Sequence, residues 1–301
     1  MSESEPPALT PDQVSGKTFR RYNLAALLLG VVAIGVGAPW ALAQQAAGPA
    51  VHDPLGFAQH PRWSDGKAEV ARYAAVRTIY GGEREFELIR IAVREPYDPA
   101  RRVKPDTSRP GAVDAIKTVA VHEVPSGKPY AYRQQVICRV AQADPRHLFD
   151  ATSSSQEWCG STFSLLVRRG AGFEREAHCY FDGLGDWTDR VRGDALVEDQ
   201  LPFVVRGLSP DTTLTLQVLP SILTNKAAPT RPVEATLSCR ERGVEKTVPA
   251  GTFRCAHWVL EVAGAERHFW VAEDDTRPLV AFDDGITRGE LRSVERDAYW
   301  Q

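Results

Sequence analysis

The chain has 301 residues, 43% hydrophobic and 25% charged, enough apolar material for one large or two ordinary domains. Its formal net charge is −3, and its arginines are dispersed among acidic neighbours (Arg139, Asp144 and Arg146; Glu174, Arg175 and Glu176). No broad basic field results, which excludes a general binder of phosphate backbones, so nucleic acid is not an expected partner.

In chain order, a polar leader runs into Lys17, Arg20 and Arg21, then into the apolar run LAALLLGVVAIGVGAPWALA (24–43), which ends in the small-residue pattern Ala41-Leu42-Ala43. Basic region, apolar region and A-x-A site in this order read as a secretory signal peptide over 1–43. Paired Arg20 and Arg21 resemble a twin-arginine signal, with Phe19 departing from the pattern. The alternative is an uncleaved anchor, since about 20 apolar residues span a bilayer; any membrane association is expected only through it. The expected location is the bacterial periplasm or the exterior. All five cysteines (Cys138, Cys159, Cys179, Cys239 and Cys255) fall in the exported part, where disulfides are permitted. The odd count leaves one thiol over, and spacing fixes no pairing.

Residues 44–61 read as a flexible linker, with order beginning near Trp63. One domain over 62–301 comes next. Residues 63–81 read as strand and turn, and EFELIRIAVREPYD (85–98) as a strand whose change of apolar parity signals a bulge or burial on both faces. AIKTVAVHEV (115–124) and YAYRQQVICRV (130–140) form a hairpin. A second hairpin, centred on Ala171, sets Phe163 against about Cys179. DALVEDQLPFVVRGL (194–208) reads as a short helix capped by Asp194 and broken at Pro202. TLTLQVLP (213–220) is a strand, residues 225–232 are a proline-rich connector, and the tail is a meander of strands VEATLSCRE, VEKTV, TFRCAHWVLEV, ERHFWVAED, PLVAFDDG and ITRGELRSV. Around Gly264 a three-residue loop sets Trp258 against Trp270, and a two-residue loop offsets them.

The densest chemistry lies in TSSSQEWCG (152–160). On a strand, Gln156 and Trp158 share one face, and Glu157 and Cys159 the other. The simplest reading has Trp158 filling the core with Cys159 as a small buried residue. The chemical reading makes Cys159 a nucleophile, His178 its base and Glu157 the orienting group, with Cys255 and His257 as the second such pair. The hairpin holds Cys159 and His178 about 15 Å apart, which weakens the chemical reading. His122, His178, His257 and His268 show no metal-ligand spacing, so neither metal nor cofactor is expected. Asp283-Asp284-Gly285 reads as a turn.

Residues 247–282, carrying P-A-G-T-F, an aromatic-W-V strand and P-L-V, resemble the tail of an uncharacterised family of exported bacterial proteins, itself similar to lipoprotein-carrier (LolA-like) half-barrels. The strings KPYAYRQQVICRV, SSSQEWCG and HCYFDG resemble an exported family of unknown function marked by Q-E-W-C-G. The resemblance implies an all-β fold with one short helix: a large curved antiparallel sheet, an open half-barrel whose concave face is covered by residues 194–208. Its implied lining is Gln156, Trp158, Phe163, Leu165, Trp258, Trp270 and Phe282, around either an open cavity or a filled core. The expected function is therefore non-enzymatic binding of a lipid or other hydrophobic ligand, or of an envelope protein. The alternatives are a structural or protein-interaction module of the envelope and a thiol enzyme using Cys159.

Overall fold

The computed structural model describes residues 56–301. The leader, the anchor alternative and most of the expected linker therefore lie outside the described residues. Residues 56–301 form an all-β fold, as the patterning requires.

The first half is an antiparallel meander of eight strands: β1 (Ala68–Ile79), β2 (Gly82–Tyr97), β3 (Val113–Pro125), β4 (Ala131–Ala141), β5 (Leu148–Glu157), β6 (Gly160–Arg169), β7 (Gly172–Cys179) and β8 (Trp187–Val191). After it come the two-residue β9 (Leu196–Val197), the one-turn helix α1 (Leu201–Val204) and a returning meander. That meander comprises β10 (Thr213–Leu219), β11 (Val233–Val248), β12 (Gly251–Val262), β13 (Ala265–Ala272), β14 (Leu279–Asp283) and β15 (Thr287–Asp297). β15 pairs with β1, so first and last strands meet in mid-sheet and β8 and β9 become the edges of one 15-stranded sheet. Only β9 and β10 run parallel.

This order forces the sheet to curl. Fifteen strands laid flat would set the edges about 67 Å apart, yet Val191 of β8 and Leu196 of β9 are joined by a link that spans at most about 18 Å. The edges do not pair with each other. Side chains bridge the gap to residues 220–232, the connector between β10 and β11: Trp187 Nε1 donates to Ala227 O (3.0 Å), Arg175 to Thr230 O (2.7 Å), and Arg231 pairs with Asp189.

Inside the curl the core forms two buried clusters. One joins Tyr73, Leu88, Leu237, Trp258, Phe269 and Phe282; the other joins Phe57, Trp63, Ile116, Leu148, Leu166 and Phe173. α1 belongs to both, giving Leu201 to the first and Phe203 to the second. A helix too short to be stable alone is thus held by packing on both sides.

Several sequence expectations need correcting. Asp194 caps nothing: it pairs with Arg168 at 2.9 Å. Pro202 opens the helix instead of breaking it, because a first-turn residue has no intrahelical N–H to lose. Phe57 and Ala58, expected in the linker, are buried; Trp63 donates to Phe57 O at 2.7 Å, and the Phe57, Trp63 and Phe203 rings lie 5.5 to 5.6 Å apart. β2 keeps one register against both neighbours, so its parity change is two-sided burial: Phe86 and Leu88 face the main core, while Val93 packs outside with Ala68 and Val70. The second hairpin turns at Gly170-Ala171, so Phe163 faces His178, one residue from the expected partner. VEATLSCRE and VEKTV are one strand, β11, with register shifts between Cys239 and Val244. The loop at Ala263-Gly264 has two residues, both with positive φ (49° and 76°), so Trp258 faces Phe269 and Trp270 faces His257.

Candidate functional site

The sequence candidates do not assemble into one site. β5 ends at Glu157 and β6 starts at Gly160, so Trp158 and Cys159 are a hairpin turn and the expected alternation of faces stops before them. Trp158 is 76% exposed, its ring 5.9 Å from that of Tyr130. It therefore neither fills the core nor lines the concave face. Gly160 is required because a Cβ there would meet the Tyr180 ring at 2.3 Å. Gln156 is exposed, Phe163 is 42% exposed and stacks on His178, and Trp270 stacks flat on His257 at 4.5 Å with its ring half-buried. Trp258 and Phe282 are buried; of the expected lining Phe282 borders an interior cavity and Leu165 a cleft between the rim turns.

The thiol reading loses its base. His178 Nε2 lies 2.9 Å from Glu176 and Nδ1 3.1 Å from Asp186, so both ring nitrogens face carboxylates. Asp186 and then Glu176 raise its pKa. Glu157 accepts a long bond from Asn225 (3.4 Å). In the second pair, burial pushes the Cys255 thiol up to about 12 and lowers His257 to about 4, the opposite of an activated thiolate and base. All five cysteines are free. Among the described residues no three His, Cys, Asp or Glu side chains form a metal-holding group, and no helix is long and apolar enough to cross a membrane.

What the fold does build is a mouth. The turns after β1, β3, β5 and β7 share one end of the sheet, and the Arg77–Thr287 pairing of β1 with β15 brings the β12–β13 and β14–β15 turns to the same end. That rim carries the four most exposed large apolar side chains among the described residues, Tyr80, Trp158, Tyr180 and Ile286. Between the rim turns opens a cleft of about 560 Å³. It is lined by Gln134, Ser164 and Trp187 from the first meander, by the connector from Pro220 to Ala228, and by Val262, Arg267 and Ile286 from the second.

The connector is irregular chain lying on the inner face, where its backbone carbonyls need donors. Inward-facing hydroxyls supply them: Ser153 Oγ donates to Ile222 O and Thr162 Oγ1 to Asn225 O, both at 2.6 Å. From the α1 side, Asp199 accepts from Ser221 Oγ (2.6 Å) and Ile222 N (2.9 Å), and Glu198 from Ser221 N (3.1 Å). Burial raises the pKa of both carboxyls. Ser153 of the serine run and Thr162 of β6 thus hold the cleft's wall.

Below the cleft, and sharing Arg77, Leu223, Arg267 and Ile286 with it, is a cavity of about 60 Å³ that also meets Arg90, His122 and Phe282. A third space of about 40 Å³, reached past Arg90 and Pro202, touches Tyr73, Glu69 and Arg206. Arg77 donates to Thr287 Oγ1 (2.9 Å) and Gln134 Oε1 (2.6 Å) and meets His122 Nδ1 (2.9 Å). Burial, then Arg77, holds His122 well below its usual pKa, so the ring is neutral and Nδ1 accepts. At the far end Arg206 grips Glu69 through two bonds (2.6 and 2.9 Å), with Arg62 adding a third at 3.0 Å. A file of polar groups therefore follows β1 inward from Arg77 past Tyr73 to Glu69. Trp187, Arg77 and Arg90 did not stand out in the sequence, and the proline-rich run over 225–232 carries no sign that the connector lies on the inner face.

No family model matches the chain. No curated protein matches it either. Among solved structures, a β-barrel-like protein of a domain of unknown function, DUF1849, from Brucella abortus is similar over 77% of this chain and 98% of that one, at 8% identity and a TM-score of 0.46.

Proposed function

We propose that the chain is a non-enzymatic binding protein of the bacterial cell envelope that takes a small apolar or amphipathic guest in the mouth cleft. The observation that carries this reading is the cleft itself. Its volume of about 560 Å³ falls in the range of small-molecule sites, and it combines apolar walls (Trp187, Leu223, Val262 and Ile286) with a few convergent polar groups. The concave face farther in is packed by α1 and the connector, so the guest sits at the entrance and not along the whole sheet. The leader sequence supports placing this activity outside the cytoplasm. Titration with the neutral apolar fluorophore N-phenylnaphthylamine tests the reading. Saturable enhancement is expected for the native chain and its loss for Leu223→Trp, which fills the cleft; no saturable signal in the native chain would refute it.

A second reading, docking of an envelope protein on the rim, is favoured by the 70%, 76% and 67% exposure of Tyr80, Trp158 and Tyr180. It expects Trp158→Ala to weaken partner binding and leave the fluorophore titration unaltered.

A further inference from the structure

We propose that the cavity beneath the mouth cleft is a carboxylate subsite, in which Arg90 and Arg267 clamp the carboxylate end of a guest whose apolar chain lies in the cleft. This rests on the cleft being the binding site and names the guest's chemistry.

Two guanidinium groups face this one space with donors unused. The Arg90 side chain makes no hydrogen bond or ion pair among the described residues; its only contact of note is the Phe282 ring, 4.8 Å from its centre. Arg267 Nε is buried without a hydrogen-bond partner, and its nearest carboxylate oxygen, Glu198 Oε1, is 3.8 Å away, too far for one. Buried donors are nearly always satisfied, by ordered water or a bound group where the protein does not do it.

Each acid that borders the cavity already holds a neighbouring group of the chain. Asp199 holds Ser221 and Ile222, Glu198 Oε2 holds Ser221 N, and Asp284 Oδ1 holds Ile286 N (2.9 Å) and Thr287 N (2.7 Å). Arg77 is fixed by three neutral acceptors and adds charge without needing a counter-ion in contact. None of these carboxylates hydrogen-bonds Arg90 or Arg267 Nε, and a guest carboxylate presents two oxygens to a guanidinium fork. The space of about 60 Å³ is about two waters' share of liquid volume, room for a carboxylate but not for a bulky head group. Leu223 and Ile286 border both this cavity and the cleft, so an attached chain passes between them.

The carboxylate could belong to a chain acid or to a free small anion, and three probes separate these: octanoate, octanol and acetate, each competed against N-phenylnaphthylamine. Octanoate is expected to bind at least about tenfold more tightly than octanol, one charge-assisted contact's worth, and acetate far more weakly than octanoate. In Arg90→Gln, at a position that does not line the cleft, the octanoate-to-octanol ratio is expected to fall towards one, with fluorophore binding in the same sample reporting an intact cleft; Arg267→Gln is expected to lower the ratio too, its fold checked by circular dichroism. Equal affinity for octanoate and octanol in the native chain, a ratio unmoved in both variants, or acetate binding as tightly as octanoate would overturn the subsite. Failure of every probe, fluorophore included, would instead overturn the cleft as a binding site.

Discussion

Glu69 is buried against Arg206 and Arg62 at the closed end of the sheet, and two opposing effects act on its carboxyl. Burial raises its pKa, while Arg206 first and Arg62 next lower it, and the net direction is below the ordinary 4.5. A carboxylate depressed in the folded state contributes stability that is present above its unfolded pKa and lost as pH falls through the folded one. Urea unfolding midpoints are therefore expected to hold from neutral pH down to about 4.5 and then fall. Glu69→Gln should cost about 3–5 kcal/mol at pH 7, since it strands two guanidiniums in the interior, and should flatten the acid limb. An acid limb unchanged in the variant would contradict this role. His178 offers the contrasting case, exposed and held by Asp186 and Glu176. Its NMR titration midpoint should lie above 6.5, drop in Asp186→Asn and ignore Cys159→Ser. A midpoint that tracks the thiol would restore the catalytic pair.

At the scale of elements, α1 decides stability out of proportion to its length. Phe203 packs tilted against Phe57 and edge-on against Trp63 and is 5% exposed, so Phe203→Ala should cost about 3–5 kcal/mol in chemical denaturation. A loss under about 1 kcal/mol would mean the helix is not the keystone of the second cluster. Here the limits of the sequence are also clearest. Alternation located most of the strands, because most have one buried face, but it missed β8 and could not find the Trp158-Cys159 turn, which lacks the glycine or asparagine that usually signals a tight hairpin. Helical spacing around 194–208 was real but overextended: the apolar residues reach the core partly through β9 and partly through 3-10 turns flanking α1. The connector was legible as proline-rich chain over 225–232, but with no periodicity its path along the inner face was not. Its trace was the serine run of β5, where Ser153 and Ser155 occupy inward positions that an apolar core would give to valine or leucine. Small hydroxyls at alternate inward positions show that something irregular, with carbonyls to satisfy, lies on that face.

At the scale of the molecule, joining the first strand to the last turns two ordinary meanders into one curled sheet and gathers six turns at a single rim. The all-β class, the curvature and the single short helix were legible from patterning and resemblance. The position of the site was not, because it depends on β1 meeting β15 and on a connector crossing from one half to the other, contacts between residues far apart in sequence such as Ser153 and Ile222. The same topology fixes the order of features along the axis: rim aromatics, cleft, arginine-lined cavity, then the Glu69–Arg206 anchor. Native mass spectrometry of the chain purified from cells tests the central claim most directly. A small-molecule adduct is expected on the native chain and is expected to be absent from Leu223→Trp; an adduct retained by that variant, or a native chain that carries none even after incubation with apolar probes, would contradict a guest in the mouth cleft.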